Sequence, residues 1–289
     1  MLAQLVVGGV AQGAVYALVA LSMTVLYRST TAVNFGQGDF VMLGAFGTYV
    51  GTALLRLPFG AAAVGIVVLA FALGAGVERV LMRPLRRASH LATAIMTIGI
   101  GFFLRGAVRY VWGREQLPMP EVFSFAPIIW GDVVFTADNL AVLGAVLAMG
   151  ALFFGIFYGT SLGRLAQAMF QSERGAALIG MNVSRFHAVM WGIGVLIGAA
   201  AGILIAPITS LDPDLGAALL MKAFAAMTLG GFGSLLGCIV GALLLGISEQ
   251  VLGGYVSTAL IDITAYLVIV AVLVVRPAGL FGRRVVVRV

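Results

Sequence analysis

The sequence predicts an all-α, polytopic integral membrane bundle of about eight or nine transmembrane segments, some of them broken or re-entrant, and three observations predict it. Of its 289 residues, 62% are hydrophobic and 10% charged, with mean hydropathy +1.12, whereas a soluble domain carries about a quarter charged residues. Apolar runs near the ~20 residues that span a bilayer as helix recur from end to end. Arginines cluster between the runs: Arg28; Arg79, Arg83, Arg86 and Arg87; Arg164, Arg174 and Arg185; Arg276, Arg283, Arg284 and Arg288. Such clusters mark cytoplasmic faces, so the formal charge of +6 is read as orientation in a lipid bilayer and not as affinity for nucleic acid. No stretch remains for a soluble domain of useful size, and residues 1–289 read as one transmembrane domain.

In order, the apolar runs fall at 4–27, 40–55, 59–81, 91–112, 138–158, 187–208, 217–231, 235–252 and 260–275. The first begins at Leu2 with no basic region ahead of it and no small-residue cleavage site, which predicts a retained helix and not a signal peptide. The runs 217–231 and 235–252 are joined only by Gly230-Gly231-Phe232-Gly233-Ser234, so they are expected as two crossings or as one re-entrant element. Residues 113–137 hold Pro118, Pro120, Pro127 and Trp130 with Arg114 as the one basic residue, and are placed outside. The basic stretches 82–90 and 159–186 and the tail 283–289 then fall inside, and nine crossings put the N-terminus out and the C-terminus in. Gly194, Gly198 and Gly202 share one helix face, as do Gly233, Gly237 and Gly241. In lipid such small residues let helix backbones approach closely.

Reactive groups are sparse. Cys238 is alone, so neither an intrachain disulfide nor a cysteine metal cluster can form. His90 and His187 lack partners at metal or general-base spacing and are expected as loop residues on the inner side. The only lysine, Lys222, follows Leu219-Leu220-Met221 and not a glycine-rich phosphate loop. No enzymatic activity, metal or cofactor is therefore expected of this chain.

A central Asp or Arg in a membrane span costs about 2.5–3.5 kcal/mol on insertion scales, so each needs a partner, water or an interfacial position. Glu78 and Arg79 are expected to snorkel at the end of the third run. Arg105 and Arg109, one turn apart, are expected to pair with an outside acid or to attract an anionic solute. Glu249 and Asp262 flank an outer turn and are expected at the interface. Lys222, after Asp212-Pro213-Asp214, is expected near an outer vestibule, paired with one of these acids.

The most informative stretch is Asn34-Phe35-Gly36-Gln37-Gly38-Asp39-Phe40, which crowds two glycines, two amides and a carboxylate between long apolar runs. Two readings stand: a cytoplasmic turn in which Asp39 caps the next helix, or a discontinuous segment lining a solute path. Counting crossings puts it at the cytoplasmic edge. The glycine turn 230–234 has the same character. In 159–186, Leu162, Leu165, Ala166, Met169 and Phe170 form an apolar stripe, with Arg164, Gln167, Gln171 and Arg174 elsewhere around the helix. A second short helix at 175–179 ends at Gly180, and the pair can lie on the bilayer surface or insert into a groove on a partner.

Five stretches, in order and nearly end to end, resemble one family: the permease subunit of branched-chain (hydrophobic) amino-acid ABC importers, LivH type. They are Gln12-Gly13-Ala14-Val15-Tyr16-Ala17-Leu18-Val19-Ala20; residues 33–45; Leu178-Ile179-Gly180-Met181-Asn182-Val183; Lys222-Ala223-Phe224 with 229–234; and Arg276-Pro277-Ala278-Gly279-Leu280-Phe281-Gly282. Gln37 stands where the family more usually has His, and Arg174-Gly175-Ala176 stands where Glu-Ala-Ala is common, with Glu173 one place earlier. The resemblance implies an alternating-access permease in a bacterial inner membrane. Its implied partners are two ATP-binding subunits, a second related permease or a second copy, and an extracytoplasmic solute-binding protein. The path or gate is expected at Asn34, Gln37, Gly38, Asp39, Gly230, Gly231 and Ser234, and coupling to the ATPase at Arg164, Gln171, Glu173, Arg174, Ala176 and Gly180. Two alternatives are the same architecture importing urea, amides or aromatic acids, and an autonomous ion-coupled carrier in which Asp39 or Asp262 titrates.

Overall fold

The computed structural model describes residues 1–119, 127–130 and 133–282. The basic tail at 283–289 and Pro120 lie outside the described residues. The chain begins with α1 (Leu2–Thr30), which stops where Thr31 turns left-handed at φ 55°. After an irregular stretch comes α2 (Gln37–Tyr49), continued by a wide π turn, Val50–Leu54. Helix α3 (Phe59–Val77) runs on through a π turn, Glu78–Met82, and a tight 3-10 turn, Arg83–Arg87. Ser89 caps α4 (His90–Trp112) by accepting from the Ala92 N–H, and Gly113 ends it at φ 82°. A hairpin of β1 (Ile128–Trp130) and β2 (Val133–Phe135) precedes α5 (Ala137–Gly159). Short helices α6 (Ser161–Gln171) and α7 (Glu173–Leu178) lead to α8 (Val183–Ile205), capped by Asn182. The chain closes with α9 (Leu215–Gly230), α10 (Leu235–Tyr255) and α11 (Leu260–Val275).

Among the described residues, six helices are long and apolar enough to cross a membrane: α1, α3 with its turns, α4, α5 from Asn139, α8 and α10. Helices α9 and α11 have 16 residues each, ~24 Å at 1.5 Å per residue, short of a hydrocarbon core ~30 Å thick. Helices α1 and α8 form the centre, with 67% and 83% of their apolar windows buried, against 17%, 22% and 11% for α3, α4 and α5. The periphery keeps its apolar residues outward, as lipid requires.

One end of the bundle holds the start of α1, the β hairpin and the 206–214 connection. Gln4 exchanges hydrogen bonds with the Val134 backbone at 2.8 and 3.1 Å, and Leu117 bridges Leu211. The opposite end gathers the end of α1, the Arg83–Arg87 turn, α6 and α7. This is the division of ends that the arginine clusters imply. The α9–α10 pair is a plain helical hairpin. The interruption lies at the other end of α9, in 206–214, so α2 and α9 are both short helices completed by irregular backbone.

Close packing comes from small residues on facing helices. A Cβ on Gly9 would come within 2.6 Å of the Ile247 Cα, and one on Gly13 within 2.8 Å of the Ala242 carbonyl oxygen, locking α1 on α10. Gly44 of α2 and Gly202 of α8 press against the Ala199 and Val41 carbonyls. Because backbone and not a flexible side chain blocks the space, Gly202→Val is expected to destabilise the protein by about 1–3 kcal/mol or more. Gly144→Val, which meets nothing within 4 Å, should be near neutral. Fluorescence-monitored melting of the detergent-solubilised protein distinguishes the two.

Candidate functional site

Residues 34–37 make an irregular plug whose polar groups are satisfied inside protein. The Asn34 Oδ1 accepts from the Gly36 N–H at 3.0 Å, and its Nδ2 donates to Gln37 Oε1 at 2.9 Å. Gln37 Nε2 donates to the Ser22 hydroxyl of α1 at 2.9 Å and to the Gly194 carbonyl of α8 at 3.0 Å. The Phe35 N–H donates to Thr97 Oγ1 of α4 at 3.2 Å. Asn34 and Gln37 are 2% and 0% exposed. Their depth follows from the helices that hold them. Thr97 lies seven residues into α4 and Gly194 eleven into α8, about 10 and 16 Å from the inner end at 1.5 Å per residue. The segment therefore sits near mid-bundle and not at the cytoplasmic edge, correcting the placement from counting crossings.

Asp39 does not cap α2. Gly36 occupies the cap position without a side-chain bond, and Asp39 is the third residue of the helix. Its carboxylate turns to α4, where Arg105 Nε and Nη2 each lie 3.0 Å from Oδ1. Arg105 Nη1 is 3.5 Å from Asp214, whose two oxygens meet Arg109 Nη2 at 2.6 Å. The chain Asp39, Arg105, Asp214, Arg109 climbs from side chains 4% and 18% exposed to ones 56% and 35% exposed. Asp39 lies in the first turn of α2 and Asp214 at the cap of α9, where negative charge complements the helix dipoles. The two helix starts touch: a Cβ on Gly38 would strike the Gly216 carbonyl, and one on Gly216 the Gly38 carbonyl. Arg105 thus pairs with an acid inside the bundle as well as one outside. A cleft of about 180 Å³ between Arg109, Arg114, Pro213 and Asp214 opens at the outer end.

The glycine turn lies elsewhere. Gly231 and Gly233 take φ 103° and 79°, and Ser234 caps α10 by accepting from the Gly237 N–H at 3.0 Å. The turn docks on the 276–282 segment, whose Leu280 and Phe281 N–H groups donate to the Leu229 and Gly230 carbonyls at 2.8 and 2.9 Å. Along α9 it is fourteen residues from Gly216, roughly 21 Å, and it meets the plug through one intervening ring, Phe224, whose centroid lies 6.4 Å from that of Phe35 and 5.7 Å from that of Phe232 in the turn.

Four acidic or basic groups occupy positions other than those expected. Glu78 does not snorkel: it is 1% exposed, between Arg83 at 3.2 Å and Arg86, which bonds its other oxygen. Glu249 is not interfacial: it is 1% exposed and accepts from the Tyr16 hydroxyl at 2.8 Å and Lys222 at 3.1 Å, and its Oε1 has no partner. Lys222 accordingly sits among α1, α9 and α10, not in an outer vestibule. His187 belongs to the first turns of α8 and is buried, with Nε2 3.6 Å from Glu173 Oε1.

In the coupling region Arg164, Gln171, Glu173 and Arg174 are exposed, and Ala176 is buried. Gly180 takes φ 88° and its N–H donates to the Ala177 carbonyl at 3.0 Å. The stripe of α6 divides: Ala166 and Met169 face inward, and Gly163 rests on the Phe157 carbonyl. Leu162, Leu165, Leu178 and Ile179 face out, at 69%, 44%, 89% and 76% exposure. Phe170 stacks near Phe157 and Phe186 beneath the Arg28 guanidinium. Ser22, Thr97, Tyr16 and Ser184 were not singled out by sequence. A hydroxyl in an apolar helix satisfies itself on its own backbone, as Ser22 does on Val19, and so gives no sequence signal.

A polytopic helical bundle with polar, irregular backbone held at mid-depth between two short helices is the construction of a membrane transport protein. The chain belongs to the family described as branched-chain amino acid transport system / permease component, which it matches over residues 5–275. It is 32% identical to the high-affinity branched-chain amino acid transport system permease protein LivH of Escherichia coli K12, over 95% of this chain and 94% of that one. It is 30% identical to BraD, the corresponding protein of Pseudomonas aeruginosa, over 97% and 95%. The ribose import permease protein RbsC of E. coli K12 is 29% identical over 91% and 83%. In fold it is similar to a chain of PsaBC from Streptococcus pneumoniae in complex with Fab, at TM-score 0.50 and 17% identity, covering 94% and 91%.

Removing one member of a buried ion pair costs about 3–5 kcal/mol. Lys222→Met leaves Glu249 without a countercharge and is expected to lower thermal stability strongly. Lys222→Met combined with Glu249→Gln should recover a large part of the loss, which a double-mutant cycle on the solubilised protein reads directly.

Proposed function

We propose that this chain is the membrane-spanning permease subunit of an ATP-driven importer for branched-chain or other hydrophobic amino acids, working by alternating access as a single domain over residues 1–289. The observation that carries the reading is the plug at 34–37, closed by side chains of α1, α4 and α8 at mid-depth, in a chain of this family. The plug and Asp39 serve as path or gate, and α2 and α9 move relative to α4 when the pairs of Arg105 and Arg109 rearrange. Gly230, Gly231 and Ser234 serve at the inner hinge between α9 and α10. Helices α6 and α7 receive the stroke from ATP-binding subunits through Arg164, Gln171, Glu173, Arg174 and Gly180, with Ala176 seating α7. The bare leucines and Ile179 on this region supply an apolar surface for that partner. A second permease and an extracytoplasmic binding protein complete the importer, whose site is the bacterial inner membrane.

Reconstitution tests this. Proteoliposomes holding the full complex, with binding protein and labelled L-leucine outside and ATP inside, are expected to accumulate leucine. Uptake by this chain alone, driven by a proton gradient without an ATPase, would contradict the reading.

Two substitutions refine it. Asp39→Asn keeps the shape but removes the charge held by Arg105, and is expected to reduce uptake roughly tenfold, equivalent to about 1.4 kcal/mol, with assembly intact by copurification. Gly180→Trp forces a side chain onto a left-handed backbone and is expected to leave ATP hydrolysis running while uptake falls. Unchanged coupling would remove Gly180 from the transmission path.

A further inference from the structure

A second cavity, of about 240 Å³, lies on the inner side of the plug. A single water needs only about 10–15 Å³ of such space, so the cavity is roomy enough for a small solute. Thr93 and Trp191 in its walls stand one helical turn inward of Thr97 and Gly194, the residues that hold Phe35 and Gln37. The cavity is therefore a chamber one turn inward of the residues that hold the plug, opening at the inner surface beside the exposed Ala88 and His90. Its floor is the coupling region, because Glu173 of α7 lines it.

We propose that this chamber binds the imported solute class, a small zwitterion with an aliphatic side chain, and that occupancy slows the transporter from the cytoplasmic side. The inference rests on the proposed import of amino acids. The lining has the three parts such a ligand needs. Glu173, 56% exposed and 3.6 Å from His187, offers a carboxylate to an ammonium; a committed charge-assisted bond would measure about 2.7–2.9 Å. Arg86 offers a carboxylate the N–H groups left over from its bonds to Glu78 and Ser184, His90 offers a ring N–H, and the Thr93 hydroxyl, 3.5 Å from the Ser89 carbonyl, can turn to join them. Met82 and Trp191 give an apolar wall. Glu78, also in the lining, does not compete for the ammonium, because Arg83 and Arg86 occupy its two oxygens. A ligand joining Glu173 to groups on α4 and the Arg83–Arg87 turn would tie α7 to the bundle, and that opposes the movement by which the coupling region resets.

Equilibrium binding of labelled L-leucine to the detergent-solubilised complex without binding protein is the decisive measurement. Saturable binding is expected, displaced more weakly by 4-methylpentanoate, which lacks the ammonium, and by isopentylamine, which lacks the carboxylate. Thr93→Trp should abolish it and Thr93→Ser should retain it. Ala88→Trp, filling the exposed mouth, gives the same result through a second residue if Thr93→Trp does not assemble. In proteoliposomes, unlabelled leucine on the cytoplasmic side should slow wild-type uptake about fivefold or more, within the usual range of coupling between sites, and the two filled variants should escape that inhibition. No saturable binding, or binding that both tryptophan variants leave intact, overturns the proposal whatever the uptake result. Absence of uptake with no leucine inside bears instead on the importer reading.

Discussion

The side-chain amide of Gln37 is the contact on which the rest of this architecture depends. Irregular backbone within a bilayer persists only where protein replaces the hydrogen bonds of water. The Gly36 N–H is satisfied by Asn34 Oδ1, and Gln37 holds Asn34 in place while donating to Ser22 on α1 and to the Gly194 carbonyl on α8. With Thr97 holding Phe35 from α4, the stretch after α1 can fold back into the bundle, and α2 can start at mid-depth. Gly198 makes this possible by leaving room where its Cβ would meet the Gln37 amide.

Charge organises the remaining joints. Asp39, Glu78 and Glu249 are each 3% exposed or less and each meets an arginine or lysine. A buried pair gains little net stability over well-packed apolar residues, but losing one partner costs several kcal/mol. Such pairs therefore penalise wrong arrangements more than they reward the right one. Asp39 fixes α2 on α4, Glu249 fixes α10 on α9 and α1, and Glu78 steadies the turn that reaches Ser184 at the start of α8 through Arg83 and Arg86. The first of these is continuous with exposed charges at Asp214 and Arg109, so it joins the interior to the outer surface.

The fold class, the apolar runs, the two ends of the bundle and the importance of residues 34–39 were legible in sequence because each depends on local composition. Partnerships across the bundle were legible only as a need for a partner, as where Lys222, Arg105 and Arg109 were each expected to meet an acid, and not as particular pairs. Glu249 and Lys222 are 27 residues apart and Asp39 and Arg105 are 66 apart, and no spacing rule on a single helix connects them. Depth was misjudged for a related reason: a crossing count treats every run as a full span, whereas α2 and α9 are each completed by irregular chain. Glycine patterns told that helices approach closely, while the atoms opposite, such as the Val41 carbonyl at Gly202, came only from the packing.

Thiol accessibility at Phe35 tests the central claim, that residues 34–37 close a path at mid-depth. Cys238 is the only cysteine, so Cys238→Ser gives a background in which Phe35→Cys carries the one thiol. In the resting complex that thiol should resist membrane-impermeant reagents from either face, and during ATP-driven uptake it should become reactive. Rapid labelling from the cytoplasmic face in every state would mean that the segment is an open turn and would contradict the account.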